Sequence, residues 1–503
     1  MDTDWMALKS GSDIRGNAVD APDAPATLTP DVARRVGFAF ARWLLLRMDA
    51  SPGALRVAVG RDSRVTGPSL AAAVLEGLAL AGAHTLDFGL CTTPAMFLAT
   101  VAPETACHGA VMVTASHHPW MRNGLKFFTR RGGLDGADIR ALLAEAQAQP
   151  LSQGPAAPAE RVDFLRLYAD SLKRAVCTGL ATDAPRPLAG LRVAVDAGNG
   201  AGGFYADMLS DLGADTSGSR YLQPDGRFPN HIPNPEDDAA MAALSQAVRE
   251  SGADLGVIFD ADCDRAAIVD EAGRAINRNR LIALTAAVLL AEAPGATVVT
   301  DSVTSAGLAR FIAARGGVHC RYKRGYRNVI DEALRLNAAG VDCPLAMETS
   351  GHAALREHYF LDDGMYLVTR LLVAAMQRRA AGGALCDLIA DLREPAESRE
   401  ARLAITAPDF ATAGQGALDA LTLAAAGWPH CRLATDSREG VRVLFDLDGG
   451  SENAWLMMRL SVHDPVLPVN MESDVPGGVE AMLGRLRQAL QGCAGIDAAP
   501  LSR

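Results

Sequence analysis

Short apolar runs recur along the first 350 or so positions, each closed by a polar loop and parted from the next by Ala/Leu-rich stretches long enough for helices. Two openings are nearly identical: Leu55-Arg56-Val57-Ala58-Val59 runs into Gly60-Arg61-Asp62-Ser63-Arg64, and Leu191-Arg192-Val193-Ala194-Val195 into Asp196-Ala197-Gly198-Asn199-Gly200. A third, Ala296 to Asp301, is looser. After each opening come a helical stretch and a second apolar run that ends in a polar loop: Thr114 to Pro119, Asp260 to Arg265, and Glu348 to His352. This alternation predicts three α/β units with mostly parallel strand pairing, which brings the three loops to comparable positions. Residues 149–158, rich in Pro, Gly and small polar side chains, predict a linker. After about Glu394 the pattern shortens to strand-like Gly440 to Phe445 and Ala454 to Leu460, then a helix from Gly478 to about Leu490, predicting a separate α+β domain.

The first loop, Thr114-Ala115-Ser116-His117-His118-Pro119, follows the apolar run Gly109 to Val113. A serine after a buried strand reaches the carboxyl edge of the sheet, where ligands bind in open α/β folds, and a neighbouring histidine positions or moves a proton. The competing reading is a hydroxyl that caps a following helix. The second loop, Asp260-Ala261-Asp262-Cys263-Asp264-Arg265, carries three alternating carboxylates. On an extended segment these share one face, and three close anions call for a hard divalent cation, Mg²⁺ first. Asp260, Asp262, Asp264 and Glu271 also match the spacing of an EF-hand, but Arg265 stands where that turn requires Gly, and Ala266 to Asp270 reads as a strand.

A net charge of −11 without a long basic run disfavours nucleic acid and anionic membrane as partners, and leaves small molecules. Nine cysteines form no CxxC pair or zinc spacing, and an odd number cannot all pair within the chain, so they read as reduced, mostly buried thiols. The acidic start Met1-Asp2-Thr3-Asp4-Trp5 lacks a signal-peptide pattern and no apolar segment approaches membrane-spanning length, which fits a cytoplasmic enzyme.

With these loops in this order, from Asp13-Ile14-Arg15-Gly16 to Glu472-Ser473, the chain resembles the α-D-phosphohexomutases, in particular their phosphoglucomutase/phosphomannomutase branch. The resemblance implies three related α/β domains and a C-terminal α+β domain of the TATA-box-binding-like type around a central cleft. The corresponding spans are 1–155, 156–278, 279–393 and 394–503. By motif, Ser116 is the phosphorylated serine, and Asp260, Asp262 and Asp264 hold Mg²⁺ against it. Lys126 transfers a proton or assists electrostatically, an ordinary surface lysine being the alternative. Arg15, His117 and Arg265 orient the phosphoserine or developing charge. Arg61 and Arg64 fit an active-site role or helix-end salt bridges equally well.

Glu348 and Ser350 match the sugar-binding loop of the resembled family, where a carboxylate and a hydroxyl grip neighbouring sugar hydroxyls; a helix cap is the alternative. Lys323 and Tyr326 occupy a Lys-x-Gly-His segment, with Tyr326 where His is usual. The phosphate loop departs further: Arg459 and Ser461 survive, but Val462 replaces a small or amide residue, His463 a threonine and Pro468 an arginine. These changes imply altered phosphate recognition, in which affinity falls or relies on His463. The implied activity is interconversion of hexose 1-phosphate and hexose 6-phosphate, of glucose or mannose, through a bisphosphorylated intermediate, with glucose 1,6-bisphosphate or an equivalent as activator and a monomer or homodimer as the working form. A weakly catalytic sugar-phosphate-binding regulator and a phosphosugar phosphatase are the alternatives.

Overall fold

The computed structural model describes residues 4–21, 24–48, 52–148, 155–461 and 464–502. The chain divides into two compact units: Met1–Leu281 with Ser350–Asp387, and Ile282–Thr349 with Leu388–Arg503.

The first unit holds two sheets. In the eight-stranded one the order is Lys9–Ser10, Asp13–Asn17, Arg122–Thr129, Gly109–Val113, Arg56–Arg61, His84–Leu90 and Glu160–Arg161, with Gly132–Gly133 beside Arg122–Thr129. Arg56–Arg61 and Gly109–Val113 pair in parallel, as predicted, but Arg122–Thr129 returns antiparallel to Gly109–Val113. The second sheet repeats the device: Val193–Asp196 and Leu255–Phe259 are parallel, and Ala266–Asp270 doubles back. The expectation of mostly parallel pairing therefore fails just after each loop, because the loops are too short for the crossover that a parallel return needs. Every residue of Gly109–Val113, Leu255–Phe259 and Ala266–Asp270 is buried, as continuous apolar runs require. The helices Pro30–Met48 and Gly67–Leu80 pack on the first sheet, with Gly77 at a point where a Cβ would lie 1.9 Å from the Arg34 carbonyl.

In the second unit, Thr297–Thr300 pairs in parallel with Val318–Arg321 and Leu345–Met347. Its other sheet is antiparallel, ordered Glu397–Ala404, Val466–Ser473, Ala454–Met458, Val441–Phe445 and Cys431–Leu433, and shares a core with helices Phe410–Ala426 and Gly478–Ala489. This is the α+β domain predicted after Glu394. All nine cysteines are free, but only Cys91, Cys107, Cys263 and Cys343 are buried, so "mostly buried" was an overestimate; the other five are half-buried. Part of the predicted linker, 149–154, lies outside the described residues, as do Val462 and His463. No helix among the described residues is long and apolar enough to cross a membrane.

Candidate active site

Ser116 follows strand Gly109–Val113 with a backbone φ of +53°, a left-handed conformation uncommon for a residue with a side chain. What holds it there is local. Asp62 Oδ2 accepts from Thr114 Oγ1 at 2.7 Å, and Thr114 Oγ1 accepts from Ser116 N at 2.9 Å. The buried Arg64 guanidinium donates to four loop carbonyls, Ser116 O at 2.5 Å, His118 O at 2.7 Å, Pro119 O at 2.9 Å and Arg122 O at 2.8 Å, and is ion-paired to Asp62 at 3.2 Å. Burial, opposed by Arg64, pushes Asp62 up to about 6. No helix follows Ser116, so the capping reading falls. Gly124 closes the bend from the far side, where a Cβ would sit 2.6 Å from the carbonyls of Ile14 and Thr114.

The three aspartates do converge, by a different route from the one predicted. Asp260 to Arg265 forms a turn, with Cys263 at φ +66° and its N–H donating to Asp260 O at 3.2 Å, rather than an extended segment. Asp260, Asp262 and Asp264 are buried, and each offers a carboxylate oxygen within 4.8 Å of the others. Thr93, at the start of helix Thr93–Val101, anchors Asp262 by donating Oγ1 to Oδ2 at 2.6 Å and N to O at 2.9 Å. Ala266–Asp270 is a strand and Glu271 points to Cys386 Sγ, 3.6 Å away, so the EF-hand reading is excluded.

Around Ser116 the two loops meet. Ser116 Oγ donates to Asp260 Oδ2 at 2.7 Å and accepts from Arg265 Nη2 at 2.9 Å. Arg265 also holds Asp260 Oδ2 through Nε and Nη2, and reaches Asn234 Oδ1 at 3.1 Å. His117 Nδ1 lies 2.7 Å from Arg265 Nη2 and 3.3 Å from Ser116 Oγ. Burial, reinforced by Arg265, holds that imidazole far below its usual range, so it is neutral, with Nδ1 as acceptor toward the guanidinium. Lys126 is no surface lysine: it is buried on strand Arg122–Thr129, ion-paired to Asp264 and 3.3 Å from Asp262 Oδ2. Burial would raise Asp264, but Lys126, His352 and Arg265 outweigh it and hold the carboxyl well below its usual value. Asp260 is pushed up by burial, with Arg265 opposing.

Other predicted residues stand differently. Arg15, on strand Asp13–Asn17, donates to Asp13 Oδ2 at 2.8 Å. Arg61 donates to Asp62 O at 3.1 Å. In the second unit Glu348 Oε1 accepts from Gly325 N at 2.6 Å, Lys323 is exposed, and Tyr326 begins helix Tyr326–Ala338. Arg459 N donates to Pro468 O at 3.1 Å and Ser461 N to Val466 O at 3.0 Å, so Pro468 serves the strand through its backbone. Ser350 is buried in the first unit.

Sequence reasoning missed Thr93 and the His352–Asp362 pair, which is 2.6 Å long and lies 4.0 Å from Asp264. Asp362 and Asp264 override the effect of burial and raise His352 to about 9. It also left the role of Arg64 undivided between two readings; its position two residues after an Asp at a strand end was the available signal.

The donor set suits a hard cation. Asp262 Oδ1 and Asp264 Oδ1 are buried with no hydrogen-bond partner, a costly state that an oxygen-seeking divalent ion relieves. A hydroxyl gripped by a guanidinium beside three carboxylates, at the carboxyl edge of a repeated α/β sheet, has the donor chemistry that phosphoryl transfer uses.

The descriptions "Phosphoglucomutase/phosphomannomutase, alpha/beta/alpha" domain I, domain II and domain III match residues 7–150, 166–273 and 277–394. The chain belongs to the phosphoglucomutase/phosphomannomutase family. It is 31% identical to a phosphomannomutase/phosphoglucomutase of Pseudomonas syringae pv. tomato over 94% of this chain and 92% of that one. It is 30% identical to a phosphoglucomutase of Neisseria gonorrhoeae, over 92% and 94%. The crystal structure of a phosphoglucomutase/phosphomannomutase family protein from Burkholderia thailandensis superposes with a TM-score of 0.79 at 27% identity, covering 97% of each chain.

Proposed function

We propose that this member of the family is a hexose phosphate mutase that interconverts hexose 1-phosphate and hexose 6-phosphate, with glucose and mannose phosphates as substrates. The observation that carries the reading is the Ser116 hydroxyl, buried and bonded to both Asp260 and Arg265, beside carboxylate oxygens that lack partners. Phosphoserine 116 gives its phosphoryl group to the free end of the sugar monophosphate, the bisphosphate turns, and Ser116 Oγ takes a phosphoryl group back from the other end. The sugar hydroxyl loses a proton and the serine oxygen regains one. Lys126 is the group assigned to pass that proton or to assist by its charge, and Arg265 stabilises charge on Oγ. Asp260, Asp262 and Asp264 would hold Mg²⁺, which when bound neutralises charge on the transferred oxygens.

Glu348 and Ser350 are assigned to the sugar hydroxyls, Arg459, Ser461 and His463 to the distal phosphate, and Lys323 and Tyr326 to substrate binding. Arg15 acts through its field on the loop, where it lowers His117 and His118 alongside burial. The reading includes four consecutive domains, 1–155, 156–278, 279–393 and 394–503, a cytoplasmic setting, a monomer or homodimer, and glucose 1,6-bisphosphate or an equivalent as activator. Incubation with glucose 1,6-bisphosphate and Mg²⁺, followed by intact mass and peptide mapping, tests it. One phosphoryl group on Ser116 supports the reading; labelling elsewhere, or none, overturns it.

A further inference from the structure

In the second unit a cavity of about 370 Å³ is lined by four arginines, Arg310, Arg321, Arg432 and Arg442, with the hydroxyls of Thr435 and Ser451 and two carboxylates, Asp436 and Glu452. None of the residues assigned above to turnover lines it. Three of the arginines have carboxylate partners: Arg310 pairs with Asp474 at 2.6 Å, Arg321 with Asp436 at 3.7 Å, and Arg432 with Glu452. Arg442 does not. It is 3% exposed, its Nη1 and Nη2 donate to Ser302 O at 2.7 Å and Thr304 O at 3.1 Å, and its guanidinium carbon lies 3.9 Å over the Trp455 ring. Its Nε has no acceptor. Carbonyl dipoles and a ring face stabilise a cation, and Glu472, Asp436 and Asp301 act on it from beyond ion-pair distance, but no carboxylate pairs with it directly, and a buried charge without a direct partner is costly. The half-buried Arg321 adds a second cation, so burial and then Arg321 work against the charge on Arg442.

We propose that this cavity is a binding site for a phosphomonoester dianion, held by Arg442, Arg321 and Arg432 with Thr435 and Ser451 as further donors. Guanidinium forks match phosphate oxygens in pairs, hydroxyls complete the shell, and the volume leaves room for an organic group of sugar size behind the phosphate. The site stands independently of the mutase reading, since it uses none of the same residues.

The test combines position and affinity on the full chain. Selenate soaked into crystals of the protein, read by anomalous scattering, is expected between Arg442 and Arg432. Inorganic phosphate and glucose 6-phosphate are then titrated calorimetrically into the native protein and into Arg442→Met, Arg432→Gln and Arg459→Met. The proposal expects binding weakened about tenfold or more by Arg442→Met. Arg432→Gln, at a half-exposed position where the fold is not at stake, should weaken the same binding severalfold, and Arg459→Met, which weakens glucose 6-phosphate binding at the active site, should spare this Arg442-dependent phase. Within the phase lost in Arg442→Met, tighter binding of glucose 6-phosphate identifies a sugar phosphate as the occupant; tighter binding of inorganic phosphate identifies the free ion. Phosphate binding that is lost in Arg459→Met and untouched by Arg432→Gln, or selenate absent from the cavity, overturns the proposal.

Discussion

Arg64→Met should cripple the Ser116 loop without touching substrate. The guanidinium serves four carbonyls of the loop and its exit, at 2.5 to 2.9 Å, and its removal leaves them buried without that donor. An unsatisfied buried acceptor costs about 1–3 kcal/mol; taking the lower end for four groups in a loop free to relax gives about 4 kcal/mol. Asp62 also loses its ion pair, but burial already pushes its carboxyl up to about 6, and it sheds the strain by protonation once Arg64 no longer opposes that rise. The left-handed backbone at Ser116 stores about 1–3 kcal/mol, which the loop releases once unclamped. Release moves Oγ relative to Asp260 and Arg265, and a displacement near 1 Å costs about 100-fold in rate. Thermal unfolding, kcat and KM, and phosphoserine content by intact mass read the outcome: a lowered melting temperature, kcat down about 100-fold and KM little changed. Arg64→Lys should rescue little, since one ammonium cannot span carbonyls from residues 116 to 122. Adding Asp62→Asn to Arg64→Met should recover little stability and no kcat, since the loss lies in the carbonyls. Native melting and kcat in Arg64→Met would refute the clamp.

Lys126→Met leaves Asp262 and Asp264 without their ammonium, so Mg²⁺ should raise the melting temperature of that variant more than that of the native protein; an equal or smaller rise in calorimetry contradicts the shared role of lysine and cation. Glu472 is raised from 4.5 to about 7 by burial, so the folded state binds the extra proton and stability should fall as pH rises through 4.5 to 7, by about 3 kcal/mol from this group. Glu472→Gln should remove that fall in denaturant titrations at pH 5 and 7.5; an unchanged difference contradicts it. Gly351→Ala puts a side chain at φ +95° and a Cβ 2.6 Å from the Ala266 carbonyl, just after Arg265, so urea unfolding should show a loss of about 1–3 kcal/mol.

Apolar periodicity located the sheet strands of the site well, because buried strands such as Gly109–Val113 and Leu255–Phe259 show as unbroken apolar runs. The chemistry of Ser116 and the aspartates was also legible, since each loop sits directly after such a run. Strand direction was not: a six-residue loop between two apolar runs gives no sign in composition that the chain doubles back. Nor was the convergence of Asp260, Asp262 and Asp264, which rests on a turn through Cys263 and on Thr93, far away in sequence. Lys126 and Arg64 look like surface cations by type, and only tertiary contacts reveal them as buried counter-charges. The cavity at Arg442 gathers residues from 306 to 452 and has no local signature at all.

The most direct test of the central claim is turnover of glucose 1-phosphate and of mannose 1-phosphate by the purified protein, with Mg²⁺ and a trace of glucose 1,6-bisphosphate, following 6-phosphate product and free phosphate together in the native protein and in Ser116→Ala. The account predicts 6-phosphate formation with little free phosphate, abolished in Ser116→Ala. Native-like turnover in Ser116→Ala, or free phosphate as the main product, would contradict it.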